Sequence, residues 1–236
     1  MKKILLGQNH LDTIGGTEAY TYAMAKQLTI LGHQVDIVTL RQGPISELIS
    51  RQFGCRINQF NTSYDVAFLN HTTIISGIQH MFPGGKIIQT CHGIEPEIDN
   101  PRLLKLERPV SGVKHVSVSQ EVAHHLSSKG FSSTIIHNGI DCERFCPTNA
   151  ISPEPKSIFS LSQSPEFNQI LSEICEERSL QFSFNNKFIS PRFDVESLIQ
   201  KSDIVFSLGR GAYESMACAR SVIIADKRQY QSGMMD

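Results

Sequence analysis

Short runs of apolar, mostly β-branched residues alternate along this chain with longer stretches whose apolar residues recur every three or four positions. That alternation limits the fold more than any other feature. Lys3–Gly7, Val35–Leu40, Val66–Leu69, Lys86–Gln89 and Val116–Val118 read as strands, with helices in the stretch after Gly16 and over Ile45–Phe53, Ile74–His80 and Gln120–Lys129. The rhythm resumes with strands at Ile158–Leu161, Phe182–Phe184, Ile204–Phe206 and Val222–Ala225 around helices Glu166–Arg178 and Val195–Lys201. Strand, helix, strand is the βαβ unit, so the expected class is α/β, with two Rossmann-like parallel-sheet domains facing each other. The joint is the stretch Ile135-Ile136-His137-Asn138-Gly139, where β-branched residues run into a pair that accepts positive φ. We expect a first domain over 1–147, a Pro-, Ser- and Thr-rich linker over 148–156 and a second domain over 157–236, with a ligand cleft beside the joint.

Charge and cysteine usage narrow the partners. Lys and Arg total 22 against 23 acidic residues, so no overall field exists to hold nucleic acid or an anionic membrane. The six cysteines (55, 91, 142, 146, 175, 218) form no CxxC pair, which points to reduced thiols in a cytoplasmic protein; Cys142 and Cys146 lack the second ligand pair that a metal would need. The apolar run Ile4–Gly7 is too short for a signal peptide, and no stretch approaches the roughly 20 apolar residues of a membrane span. Arg102, Lys105 and Arg108 among leucines make a short basic amphipathic segment, either a solvated helix face or a peripheral contact with a membrane or lipid-linked acceptor.

Open α/β sheets bind ligands beyond the carboxyl ends of their strands, so candidate residues are sought in the loops that follow strands. Gly15-Gly16 opens the first helix after the polar loop Gln8–Ile14. A glycine pair there is either an anion-binding loop at a helix N-terminus or a plain tight turn. The apolar positions Ala19, Tyr20, Ala23, Met24, Leu28 and Leu31 predict that helix's buried face. His71 and His92 each follow a strand end, and Asn138 lies at the joint, so all three are candidates for the cleft. In the second half, Ser207–Cys218 is a glycine-bracketed turn into a helix, with Glu214 near its start and Arg210 held between Gly209 and Gly211.

Gly15-Gly16-Thr17-Glu18, Gly32-His33-Gln34-Val35, His137-Asn138-Gly139-Ile140-Asp141 with Phe145, and Glu214-Ser215-Met216-Ala217-Cys218 together resemble, in this order, the motifs of the retaining family 4 glycosyltransferases of GT-B fold. The resemblance implies an acceptor-side first domain, a nucleotide-sugar-binding second domain and transfer of a sugar to a glycan, lipid-linked or small-molecule acceptor with retention. It implies no cofactor and no metal. By the same resemblance His92 faces the transferred sugar, Gly15 and Gly16 approach the donor diphosphate, and Glu214 holds the nucleotide ribose.

The chain also departs from the pattern. The family's second-domain glutamate pair keeps only Glu214, its partner's place being Phe206, and Ser162–Asn168 supplies neither the Arg nor the Lys that normally clamps the diphosphate. Arg210, with Gly211 beside it, is the nearest substitute; the alternatives for it are a carboxylate such as Asp203, or solvent. The second domain looks small and incomplete. The alternative reading is therefore a weak or inert relative that binds a nucleotide sugar, glycan or partner protein.

Overall fold

The computed structural model describes residues 1–61, 63–82, 86–94, 113–186, 189 and 192–225. It divides into two compact units, Met1–Asn138 and Gly139–Asp236. The basic segment at Arg102, Lys105 and Arg108 lies outside the described residues.

The first unit carries β1 (Lys3–His10), α1 (Gly16–Ile30), β2 (Gln34–Arg41), α2 (Pro44–Phe53), β3 (Arg56–Ile57), β4 (Val66–Leu69), α3 (Thr72–Ile78), β5 (Ile87–Cys91), β6 (Val113–Ser117), α4 (Gln120–Ser128) and β7 (Thr134–Ile135). All strand pairs are parallel, in the order β3-β2-β1-β4-β5-β6-β7. From β1 the chain winds one way to β2 and β3, then returns to place β4 on the other side of β1. The topological switch point thus lies between β1 and β4. Leu5, Val38, Ala67, Leu69, Ile74, Ile75, Ile78, Phe82 and Ile87 form a core where α3 meets these strands.

The second unit carries β8 (Ser157–Ser160), α5 (Pro165–Glu177), β9 (Gln181–Phe184), α6 (Val195–Gln200), β10 (Ile204–Ser207), α7 (Arg210–Ala217) and β11 (Ser221–Ile224). Its sheet is parallel throughout in the order β11-β10-β8-β9, so its switch point lies between β8 and β10. The α/β expectation is met, with two parallel sheets.

Three details differ from the sequence reading. First, Gln8–His10 is strand and not loop: β1 stays in register with β2 through Gln8↔Thr39 and His10↔Arg41, and Gln8 is buried. Second, α1 buries Glu18, Thr21 and Ala25, while Leu31 is exposed. Residues 18, 21 and 25 share one helical face, and its polar members are held by hydrogen bonds. Third, residues 139–156 belong with the second unit. Phe145 packs with Phe159, Ile199, Val205 and Cys218, Arg220 donates to the Asn149 carbonyl, and the Asp203 carboxylate accepts the Ser152, Lys156 and Ser157 amides. One buried carboxylate thus organises the stretch expected as a free linker, which also leaves Asp203 no part in holding Arg210. The two-residue edge strand β3 escaped notice because two residues make no period; Arg56 fixes it by a two-point fork on the buried Asp36 at 2.9 and 2.6 Å.

Candidate functional site

In the first unit the side chains at the β1/β4 switch point form a connected polar network. Thr17, in the first turn of α1, donates its hydroxyl to Glu18 Oε2 at 3.1 Å and accepts from Gln8 Nε2 at 3.1 Å. Asn70, just past β4, donates to Gln8 Oε1 at 2.9 Å and to Thr21 Oγ1 at 3.0 Å. His92 follows β5, and its Nε2 lies 3.3 Å from Asn70 Oδ1, with the Tyr20 ring 4.7 Å away edge-on. Gln8, Glu18, Thr21 and Asn70 are all buried, so the network replaces the water these groups give up.

The glycine turn sits at one end of this network. A side chain at Gly15 would bring its Cβ within 2.6 Å of Glu18 Oε2, so the carboxylate folds against the turn. At Gly16 a Cβ would meet nothing within 4 Å. The start of α1 thus has free space on that side of Gly16.

His71 has a different setting. It is buried and its Nδ1 accepts the Asn9 amide at 3.2 Å, while burial, helped by the neighbouring His10, pushes its pKa down to about 4. The ring is neutral and occupied by backbone. Asn138 keeps its Oδ1 buried without a hydrogen-bond partner among the described residues.

In the second unit the loops after β8 and β10 border the switch point. The β8 loop is polar and tightly held: Ser162 Oγ accepts the Ser164 amide, Asn168 donates to the Ser162 carbonyl, and Gln163 donates to the Leu161 and Asn185 carbonyls. It contributes no cation. The β10 loop turns at Gly209, whose φ of 57° and ψ of −130° admit glycine alone without strain, and starts α7. Gly211 lets that helix sit close to the sheet, since a Cβ there would stand 2.5 Å from Ser207 Oγ and 2.8 Å from Leu161 Cδ1.

Arg210 and Glu214 meet one turn apart on α7. Nε donates to Glu214 Oε1 at 2.6 Å, and Nη1 donates to the Gly139 carbonyl at 3.3 Å. Both side chains are about nine-tenths buried. Burial raises the Glu214 pKa, and Arg210 opposes that shift by charge and hydrogen bond. Arg144 adds positive charge nearby while pairing with Glu196 at 2.7 Å and lying over the Phe193 ring. Arg210 therefore takes a carboxylate partner, Glu214, leaving Nη2 uncommitted among the described residues.

Sequence reasoning named His92, Gly15, Gly16, Arg210, Gly211 and Glu214, and the structure places the first three near the β1/β4 switch point and the last three near the β8/β10 switch point. Gln8, Glu18, Asn70 and Arg144 were missed. The available signal was the spacing of Thr17, Glu18 and Thr21 on one helical face. Cys142 and Cys146 lie against the Ile140 and Glu143 carbonyls at 3.6 Å, and none of the six cysteines is in a disulfide. Among the described residues no helix is long and apolar enough to cross a membrane.

Solved structures with this architecture include glycosyltransferases. A glycosyltransferase from Rickettsia africae superposes with a TM-score of 0.69 at 18% identity, covering 94% of this chain and 78% of that one. MurG of Acinetobacter baumannii gives 0.57 at 11% identity over 92% and 76%. The catalytic domain of starch synthase IV from Arabidopsis thaliana, bound to ADP and acarbose, gives 0.55 at 12% over 94% and 82%. These likenesses establish the fold. No curated protein matches the chain in sequence. The family model Glycosyltransferase Family 4 matches residues 14–144, more than half of the chain and nearly all of the first unit beyond β1. With two parallel-sheet units and a family match that spans the glycine turn and His92, the chain belongs to glycosyltransferase family 4.

Proposed function

We propose that this protein transfers a glycosyl group from a nucleotide-sugar donor to a carbohydrate or lipid-linked acceptor, with retention of configuration and without a resident cofactor. The carrying observation is Glu214, a buried carboxylate that lies one turn into α7, past the first turn where the sequence placed it, beside the β8/β10 switch point and held there by Arg210. A carboxylate accepts hydrogen bonds only, and the two hydroxyls of a ribose are donors of matching geometry. The N-terminus of α7 and the remaining Arg210 donors suit a diphosphate. In the first unit the open turn at Gly16 suits anionic groups of the substrates, and His92 is assigned to the transferred sugar. His71, buried and bonded to backbone, is assigned a structural part. The free thiols fit a cytoplasmic setting, with any membrane contact peripheral.

One observation favours a second reading. The β8 loop has no cation, and Arg210 is already paired with Glu214, so donor charge is neutralised less than two dedicated cations would achieve. A binding protein without turnover fits that arrangement. Incubating the protein with a panel of sugar nucleotides and candidate acceptors decides between them. Transfer, or slow donor hydrolysis, that His92→Ala reduces at least tenfold supports the enzyme. Saturable donor binding with no turnover across the panel supports the binding reading.

A further inference from the structure

The hydrogen bonds of the first unit have a direction, and it can be followed from one end to the other. A carboxylate offers no proton to donate, so the Thr17 hydroxyl must point its hydrogen at Glu18 Oε2, 3.1 Å away. Thr17 Oγ1 is thereby left as an acceptor. The Gln8 amide must therefore turn its NH₂ toward Thr17, at 3.1 Å, and toward Glu18 Oε1, at 3.5 Å, which places its carbonyl oxygen toward Asn70. Asn70 in turn presents its NH₂ to Gln8 Oε1 at 2.9 Å. A second constraint agrees: the Thr21 hydroxyl spends its hydrogen on the Thr17 carbonyl at 2.9 Å, so its oxygen accepts the same Asn70 NH₂ at 3.0 Å. With both amides oriented, Asn70 Oδ1 faces His92 Nε2 at 3.3 Å. An acceptor oxygen there requires Nε2 to carry the proton.

We propose that Glu18, Thr17, Gln8 and Asn70 are positioning residues: a directional relay that starts at the carboxylate against the glycine turn and sets the tautomer and ring orientation of His92. The neutral ring then holds its proton on Nε2 and its lone pair on Nδ1. The relay also joins the glycine turn to the histidine, because Glu18 lies against Gly15 and accepts from Thr13 Oγ1 at 3.5 Å. Substrate charge arriving at the turn therefore acts on the carboxylate that orders the imidazole. The importance of His92 to transfer rests on the function proposed above. The tautomer does not, since it follows from hydrogen bonds within the free protein.

The test is nitrogen NMR of the His92 ring, assigned by comparison with His92→Ala and recorded at a pH where titration shows the ring to be neutral. The relay predicts one dominant tautomer, protonated at Nε2. Thr17→Val alone leaves Thr21, still donating to the Thr17 carbonyl, to orient Asn70, so the double variant Thr17→Val/Thr21→Val is what frees both amides and should mix the two tautomers; Thr17→Ser/Thr21→Ser keeps both hydroxyls and should keep the single form. Asn70→Ala should also mix them. Turnover should fall about tenfold, the worth of one ordinary hydrogen bond, for Thr17→Val/Thr21→Val and Asn70→Ala while donor Kd stays within about twofold. Nδ1 protonation in the parent protein, or an unaltered tautomer in both Thr17→Val/Thr21→Val and Asn70→Ala, overturns the relay. A parent ring protonated on Nε2 together with full turnover in His92→Ala leaves the relay standing and removes the catalytic assignment instead.

Discussion

Replacing Glu214 by alanine removes the acceptor proposed for the ribose and leaves Arg210, whose side chain is about 10% exposed, with the Gly139 carbonyl as its one hydrogen-bond partner among the described residues. A hydrogen bond to a charged group contributes about 1.5–3 kcal/mol, so nucleotide affinity should fall roughly ten- to a hundredfold, measured by calorimetry. Glu214→Gln, which keeps the shape and loses the charge, should fall between. Unchanged affinity in both variants would return Glu214 to a purely structural ion pair. His71 gives a pH-dependent counterpart. Its folded pKa of about 4 lies below the ordinary 6.5, so the unfolded chain takes up the proton first as pH falls. The stability it contributes is complete above about 6.5, declines below that and is gone below about 4, a total of about 3 kcal/mol. Exchange protection of the Gly7 and Leu69 amides, corrected for intrinsic rate, should follow that decline in the parent protein. In His71→Gln the decline should be smaller.

At the scale of elements, two glycines separate a ligand requirement from a packing one. Gly16→Ala meets open space at a helix start, so stability should hold or rise by a few tenths of a kcal/mol while substrate affinity drops. Gly211→Ala drives a Cβ against Ser207 and Leu161 and should cost about 1–3 kcal/mol by thermal unfolding, carrying Glu214 out of place with α7. Equal behaviour of the two variants would erase the distinction. Much of this layer was legible in the chain. Val66–Leu69 is β4 residue for residue, and Ser119 caps α4 by accepting the Val122 amide, as a serine before an apolar helical run predicts. Periodicity misread α1 because its inward face carries Glu18 and Thr21, which look solvent-bound in one dimension and are satisfied only by residues up to about fifty positions away, such as Asn70. Gln8–His10 failed for the same reason: strand pairing is a backbone matter, and polar side chains at a strand's carboxyl end mark a site more than a loop. Glu214 was visible through its motif, but its ion pair with Arg210 was chosen over Asp203 by the one-turn spacing within α7 and by the backbone amides that already fill Asp203.

For the molecule as a whole, each of the two parallel sheets carries a switch point, and each switch point holds one buried carboxylate ordered by neighbours: Glu18 in the first unit and Glu214 in the second. The second unit also gathers residues 139–156 onto itself through Phe145, Arg220 and Asp203, so the chain changes unit at Asn138–Gly139 and not after Pro147. The account depends most on the claim that the β8/β10 switch point is a nucleotide site, since the β8 loop supplies no cation to it. Hydrogen exchange of the intact protein, with and without a series of nucleoside diphosphates at about millimolar concentration, addresses that claim directly. The account predicts new protection over Gly209–Glu214 with at least one nucleotide, absent in Glu214→Ala. Exchange over Gly209–Glu214 that is identical with and without every nucleotide would contradict it.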